Sequence, residues 1–401
     1  MKRKWHFKFQ KNDFHIKWNS RNENLRQMSI PTPMIAKPCI PDALPLDQLN
    51  LRAIIGPLGE ANRALARYDG LLQSLPNPSV LLSPITTNEA VLSSRIEGTQ
   101  ATLDEVLEHD AGVEVPERRR GDIEEVNNYR VAVQIAEAAL IDRGLSLSLV
   151  RELHQRLMQG VRGLDKSPGA FRDDQNWIGR RGDPIATARF IPPDPTTMGG
   201  ALLNWEAYVR AVDEDPLLKA ATAHAQFEII HPFKDGNGRI GRMLIPLILC
   251  KEGALSRPMF YLSQYLEANR EEYYDRLLSI TRTGDWQAWI IFFLGAVTAQ
   301  AEVNLRRAQR ILELYKTMHQ RFAEATHSQY AANAVEAFFA RPVIRAPDFM
   351  DAAGFNHRVT ANNMLRQLVD ADLIQKVRAG RGRRPAIYAM AQLIAIADGR
   401  A

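Results

Sequence analysis

Apolar residues recur every three or four positions through most of this chain, the period of a helix with one buried face. Between Leu46 and Ser74 the pattern runs through Leu49, Leu51, Ile54 and Ile55, then through Leu65, Leu71 and Leu72, which predicts two helices broken at Gly56-Pro57. Thr87 to Gly98 reads as a helix capped by its threonine and stopped by its glycine. Arg118 to Arg120 reads as a solvated turn before a helix from Ile123 to Leu140. Ala220 to Ile230 is helical up to Pro232, which biases His231 out of the α region, and Ile240, Leu244, Leu247 and Ile248 mark one face of the next helix. Tyr261, Tyr265, Tyr273 and Tyr274 fall in a further helical stretch, and Glu302 to Thr326 is a long charged pattern suited to bridging. Two segments break the period. Phe171 to Ile191 holds short apolar runs flanked by turn residues and predicts a β-hairpin. From Ser328 on, short helices, a tight turn between Ala352 and Asn356, a helix from Val359 to Asp370 and a two-stranded wing from Ile374 to Met390 predict a winged helix-turn-helix. The fold class expected is mainly α, with an α+β module at the C-terminal end.

The chain has 401 residues, 45% hydrophobic and 24% charged, a globular composition long enough for two or three domains. Cys39 and Cys250 imply no disulfide framework, so a cytoplasmic home is expected. The longest apolar run, near Ala288 to Val297, is shorter than a span needs, and no signal-peptide pattern opens the chain, so no membrane partner is expected. The net charge of +5 is unevenly placed: residues 1–30 hold eight Lys or Arg and two acids, +6, leaving −1 for the remainder. That arm also carries Trp5, Phe7, Phe9, Phe14 and Trp18, and it reads as a disordered extension, with nucleic-acid binding and a start at Met28 as alternatives. Pro31, Pro33, Pro38, Pro41 and Pro45 mark an extended strap.

Chemistry concentrates between His231 and Arg242. His231 titrates near neutrality and suits a general base. Asp235 is a hard oxygen ligand suited to Mg²⁺. Gly236 and Gly238 let the backbone bend and approach a ligand, and the helix start beyond them forms an anion nest. Arg239 and Arg242, three apart, can meet phosphoryl oxygens. Together these describe nucleotidyl or phosphoryl transfer. A zinc reading from His224, Glu228 and His231, at i, i+4 and i+7, stands beside it, although the spacing is not that of HExxH.

The same string resembles the signature of the Fic (Fido) domain family, HPFx(D/E)GNGRxxR, matched at His231, Pro232, Phe233, Asp235, Gly236, Asn237, Gly238, Arg239 and Arg242. The resemblance implies a helical domain with a β-hairpin flap that moves AMP from ATP onto a Ser, Thr or Tyr hydroxyl of a target protein. It implies His231 as base, Asp235 as the Mg²⁺ ligand, Gly236, Gly238 and the Asn237 side chain around the α-phosphate, and Arg239 and Arg242 on the outer phosphates. Lys234 is a further candidate for phosphate and Tyr273 for a wall of the adenine pocket.

Ser93-Ser94-Arg95-Ile96-Glu97-Gly98 resembles the (S/T)xxxE(G/N) inhibitory helix of that family, which implies that Glu97, with Ser93 one turn before it, reaches Arg242 and occupies the γ-phosphate position. Ile185, Ala186, Thr187 and Ala188 correspond to the flap that would pin an extended target segment by strand addition. The expected organisation is a basic arm over 1–30, an N-terminal helical region with the inhibitory helix over 31–120, a Fic domain over 121–300, a linker helix over 301–327 and the winged module over 328–401. Two functions follow. The first is an autoinhibited protein adenylyltransferase whose target is another protein or the chain itself, with a homodimer allowed. The alternative is a DNA-binding regulator in which the Fic domain senses nucleotide or modifies itself. Arg358, Asn362, Asn363, Arg366 and Gln367 on one helix face, with Arg378, Arg381, Arg383 and Arg384 at the wing, are its candidate DNA contacts, with protein docking or dimerisation as an equal alternative for the winged module.

Overall fold

The computed structural model describes residues 37–160, 166–179, 184–211 and 214–400, so the expectations for the basic arm lie outside the described residues. Helix α1 (Leu51–Ser74) is followed by the short α2 (Pro78–Leu81), then α3 (Ser83–Ile96), α4 (Leu103–Asp110), α5 (Glu117–Asp142) and α6 (Leu147–Leu157). Next come α7 (Pro195–Arg210), α8 (Pro216–Ile230), α9 (Asn237–Lys251), α10 (Ser263–Ala268), α11 (Arg270–Thr283) and α12 (Trp286–Thr326). Starts are set by side-chain caps where the sequence supplies them. Asp194 accepts from the N–H groups of Thr196 and Thr197 at 3.0 and 3.1 Å, Asp215 from Leu217 at 2.8 Å, and Thr102 and Glu105 form a reciprocal capping box.

The core is built around α8, which buries nearly every side chain from Leu217 to Ile230 and so lacks an amphipathic face. It pairs with α9 in a helical hairpin, with α7 and α12 on its other sides. Helix α1 lies along the first half of α12, burying Ile54, Ala61, Leu65, Tyr68 and Leu72. An 18-residue stretch of α12 with mean hydropathy 1.4 is long and apolar enough to cross a membrane; here Trp289, Ile290, Phe293, Leu294 and Val297 are buried in the protein.

The C-terminal unit is α13 (Ala331–Ala340), β1 (Val343–Arg345), α14 (Ala346–Ala352), α15 (Arg358–Asp370), β2 (Gln375–Arg378), β3 (Ile387–Ala389) and α16 (Ala391–Asp398). Its antiparallel sheet has the order β1-β3-β2, with Tyr388 opposite both Ile344 and Lys376. The strand β1 was not expected, since three residues are too few to show a period.

Several expectations need correction. Gly56-Pro57 does not break α1; the proline sits inside the helix, whose line is fixed by the apolar face packed on α12. Arg118 to Arg120 form the first turns of α5 rather than a turn before it. The boundary expected at residue 300 falls within α12, because burial of its N-terminal half and packing of its C-terminal half keep one helix continuous. Helix α3 begins at Ser83, and Thr87, instead of capping, donates its hydroxyl back to the Ser83 carbonyl at 3.0 Å. In place of a two-stranded hairpin, the described part of the 171–191 segment has one antiparallel bridge, Ile178 with Phe190, and a 3-10 turn at Ile185–Thr187.

Candidate functional site

Helix α8 ends at His231, which takes the left-handed conformation, φ 48° and ψ 60°. Pro232 excludes the right-handed helix there, and the turn swings the imidazole to the edge of a cavity of about 820 Å³. Gly236, φ 78°, starts α9, so α9 points its N-terminus at the same cavity. Its walls come from four places: Glu228 and His231 on α8, Gly238 and Arg242 on α9, Tyr274, Leu277 and Thr281 on α11, and Ile178, Thr187 and Arg189 on the bridge segment.

Glu97 caps the end of α3 and enters this cavity from the opposite side. Its Oε1 meets Arg242 Nη2 at 2.7 Å, and Arg242 also donates to the Ser93 hydroxyl at 3.0 Å and the Ser93 carbonyl at 2.9 Å. Burial pushes the Glu97 carboxyl up and the Arg242 guanidinium outweighs it, so the net shift is down. Burial likewise opposes, and Glu97 reverses, the shift of Arg242, which ends above its ordinary value. Any Cβ on Gly238 would collide with Glu97 Oε1, so the glycine that opens α9 is also what lets the carboxylate lie across the helix start.

The other motif residues divide. Arg239 is buried, 3.0 Å from Glu125 and 3.4 Å from Asp235. Asp235 is half-exposed and is held through Oδ1 by the Gly236 N–H at 2.6 Å. Asn237 does not turn its side chain to the cavity: Oδ1 accepts from Phe233 N–H and Nδ2 donates to Phe233 O, both at 2.8 Å, so the amide fastens the loop from within. Lys234 turns away to Asp173 and Asp174, each at 3.3 Å. Tyr273 is 1% exposed and donates or accepts through its hydroxyl with His224 Nε2 at 3.0 Å, beneath the cavity; the adjacent Tyr274 lines it instead. Ile185, Ala186 and Thr187 are exposed in the 3-10 turn and Ala188 is half-buried, with Thr187 alone of the four on the cavity wall.

The zinc reading fails among the described residues, where no cluster able to hold a metal forms. His224 is committed to Tyr273 in the core, and burial pushes its imidazole down to about 3. Burial also lowers His231, to about 4, against the Glu228 carbonyl that its Nδ1 approaches at 3.3 Å; a histidine so placed is neutral at neutral pH.

Two supporting residues, His154 and Arg172, were not singled out from the sequence, and a third, Glu228, was singled out for a different role. His154 is fully buried and stacks on Phe233 at 3.7 Å between ring centres. Its Nδ1 accepts from Gly169 N–H at 2.9 Å, so Nε2 carries the proton donated to the Asp235 carbonyl at 3.0 Å. Arg172, 2% exposed, donates to the His231 carbonyl at 2.9 Å. Glu228 is pushed up to about 8, chiefly by burial, with Arg242 opposing. Backbone carbonyl partners leave no sequence pattern; Glu228 was visible only as a zinc candidate.

Comparison with known proteins bears on this geometry. Residues 55–138 match the family model described as Fic/DOC family N-terminal, and residues 144–249 match Fic/DOC family. The first interval contains Ser93 to Gly98 and the second contains His231 to Arg242. A probable protein adenylyltransferase of Aquifex aeolicus (strain VF5) is 27% identical over 198 residues, 47% of this chain and 56% of its own length. The protein adenylyltransferase Fic of Aedes aegypti is 27% identical over 173 residues, 42% of this chain and 31% of its own. The chain thus aligns with about half or less of these curated relatives. Among solved structures, a Fic family protein from Desulfovibrio desulfuricans G20 shares the fold at TM-score 0.54 and 22% identity, covering 86% of this chain and 97% of that one. A Fic domain containing signaling protein from Bacteroides thetaiotaomicron VPI-5482 does so at 0.51 and 19%, covering 63% and 97%. The chain therefore carries two segments, residues 55–138 and 144–249, that match the Fic/DOC N-terminal and Fic/DOC family models, on a fold shared with solved Fic proteins.

Proposed function

We propose that this protein is an adenylyltransferase that moves AMP from ATP to a hydroxyl side chain of a protein, and that Glu97 holds it inhibited. The observation that carries the reading is that His231, the start of α9 and Arg242 open onto one cavity, with Glu97 across it on Arg242. The target oxygen attacks the α-phosphorus, its proton passes to the neutral His231, and the bond from the α-phosphorus to the bridging oxygen breaks as pyrophosphate leaves with the electron pair. The N–H groups opening α9 and the Arg242 guanidinium balance the phosphate charge. Mg²⁺, when bound, would neutralise charge on the phosphates; the half-exposed Asp235 carboxylate, fixed by Gly236, fits a cation that keeps most of its waters. The 3-10 turn at Ile185–Thr187 is exposed beside the cavity, although the Thr187 and Ala188 N–H groups bond within it, so an extended target segment would pair with the backbone beside the turn.

Inhibition follows from competition. With Glu97 on Arg242, the guanidinium is engaged by a carboxylate and by Ser93, and the carboxylate lies against Gly238, where a terminal phosphate would bring like charge. Incubating the wild type, Glu97→Gly and His231→Ala with Mg²⁺ and α-labelled ATP tests the reading. Label on protein should rise with Glu97→Gly and vanish with His231→Ala; no label with Glu97→Gly on any candidate target or on the chain itself would refute it.

A second reading concerns the C-terminal unit. Its order of helix, strand, two helices and two strands supports a winged-helix reading, and Arg358 and Arg366 on α15 with Arg381, Arg383 and Arg384 beyond β2 are exposed. These features support duplex DNA as a partner, bound in a salt-dependent way.

A further inference from the structure

Arg172 is a buried cation that directs its fork at backbone carbonyls rather than at a carboxylate. Nε donates to His231 O at 2.9 Å, Nη1 to Asp174 O at 3.0 Å, and Nη2 to Pro193 O at 2.5 Å and Ile230 O at 3.4 Å. Its backbone N–H reaches Pro232 O at 2.9 Å. One residue therefore receives three consecutive carbonyls, Ile230, His231 and Pro232, across the turn in which His231 is left-handed. A non-glycine residue in that conformation needs surroundings that enforce it. The remaining bonds tie the same fork to the two segments that lead into the Ile178 and Phe190 bridge, which Gln175 and Asn176 brace through Pro192 O at 2.9 Å and Phe233 O at 3.2 Å.

We infer that Arg172 is a positioning residue for the transfer reaction: its guanidinium holds the His231 turn so that the imidazole faces the cavity in register with the bridge segment. The inference rests on the reading of His231 as base. It is tested with Arg172→Met and Arg172→Lys in the Glu97→Gly background, measuring the single-turnover transfer rate and the Kd for ATP on the folded fraction. Arg172→Met should lower the rate about 100-fold with the Kd changed less than about threefold, since misplacing a reacting group costs rate rather than affinity. Arg172→Lys, which retains charge without the fork, should fall between. Rates within threefold of the parent in either variant, or a loss that appears wholly as weaker ATP binding, would overturn the inference. If Arg172→Met fails to fold, Arg172→Lys decides. His231→Ala in the same background separates the two claims: retained activity refutes the base, whereas an inactive His231→Ala beside fully active Arg172 variants refutes only the positioning.

A second inference rests on a different contact. Helix α16 packs against α3 and α4, and Asn88 on α3, 3% exposed, donates to the Ala397 carbonyl in the last turn of α16 at 3.1 Å. Arg400 meets Asp104 of α4 at 2.7 Å. The last helix of the C-terminal unit thus grips the helix that ends in Glu97. We propose that α16 sets how firmly Glu97 is held on Arg242, which makes the C-terminal unit the input that releases inhibition; this rests on the reading of Glu97 as inhibitor. Asn88→Ala should raise transfer about threefold to tenfold in the otherwise wild-type chain, and it should not raise it in the Glu97→Gly background, where nothing remains to release. Equal effects in both backgrounds, or none in the wild type while Glu97→Gly is elevated, would overturn the proposal. An unelevated Glu97→Gly would instead remove the inhibition reading and this proposal with it.

Discussion

Arginines gather in two regions of this protein and are treated in opposite ways. In the loop before and into α9, Arg239 and Arg242 are 4% and 3% exposed, and each is already engaged by carboxylates. In the C-terminal unit, Arg358, Arg366, Arg381, Arg383 and Arg384 are exposed, and Arg384 reaches Glu114 by a surface pair. A buried guanidinium is pre-aimed, so a phosphate that displaces its carboxylate gains strong, geometrically specific bonds. Exposed arginines contribute mostly long-range charge that salt screens. Under the proposed function, the first region would hold one ligand in one pose and be blocked by a single competitor, and the second would attract a charged surface.

Removing one arginine from each region breaks the comparison most directly. In the Glu97→Gly background, Arg242→Ala should lower kcat/KM for ATP by about 100-fold, because a charge-assisted hydrogen bond in a buried site is lost. Arg383→Ala should leave that constant unchanged. Steady-state transfer assays on both variants check the pair, and equal losses would show that the two regions are not functionally distinct.

Removing the competitor is the next largest effect. Arg242 is buried while the Glu97 side chain stays 32% exposed, so the pair is only partly screened by solvent, and a preference of about 1.4 kcal/mol for the paired state is enough to lower activity tenfold. Glu97→Gly should thus raise transfer by about tenfold or more, read as label incorporated per minute. Glu97→Asp, one methylene shorter, should give a smaller rise, since the carboxylate no longer spans the distance to Arg242. For the exposed set the matching measurement is salt dependence. Arg383→Ala should weaken duplex binding a few-fold at moderate salt and reduce the slope of log K against log salt by about 1; an unchanged slope would remove Arg383 from the contact.

What the sequence made legible follows from how local each interaction is. The loop from His231 to Arg242 places its groups within twelve consecutive residues, and its turn, its helix start and the contact of Arg242 with Glu97 could be anticipated. Tyr273 is the residue expected on the adenine wall, yet Tyr274 lines the cavity, because adjacent positions on a helix point about 100° apart and only the neighbours of α11 decide which faces it. Asn237 was assigned to phosphate, yet the loop needs its amide to hold Phe233. Lys234 was drawn off by Asp173 and Asp174, which are near only after folding. Arg172 and His154 act on backbone carbonyls, which every residue has, so no residue pattern announces them. The same applies to α12, where an apolar first half and a charged second half looked like two elements and proved to be one.

The smallest effect probes what else lies beside the buried arginine. Glu228 shares the cavity wall with Arg242, and its Oε1 is buried without a hydrogen-bond partner among the described residues. A Cβ on Gly241 would collide with that oxygen, so the helix α9 backbone packs directly on the carboxyl. Burial pushes this group up to about 8; Arg242 pulls against burial, and Glu97 adds to it. An unfolded glutamate ionises near 4.3. Between those values the unfolded chain releases its proton while the folded chain keeps it, so the folded state loses stability as pH rises, and the loss levels off above about 8. Glu228→Gln carries no such penalty and retains nearly the same shape. Its Tm should match the wild type near pH 4, exceed it by an amount that grows to about 5 °C at pH 8, and then stay level. An offset independent of pH, measured by calorimetry across that range, would show that Glu228 ionises in the folded protein as an ordinary carboxylate, and that Arg242 is flanked by two negative charges rather than one.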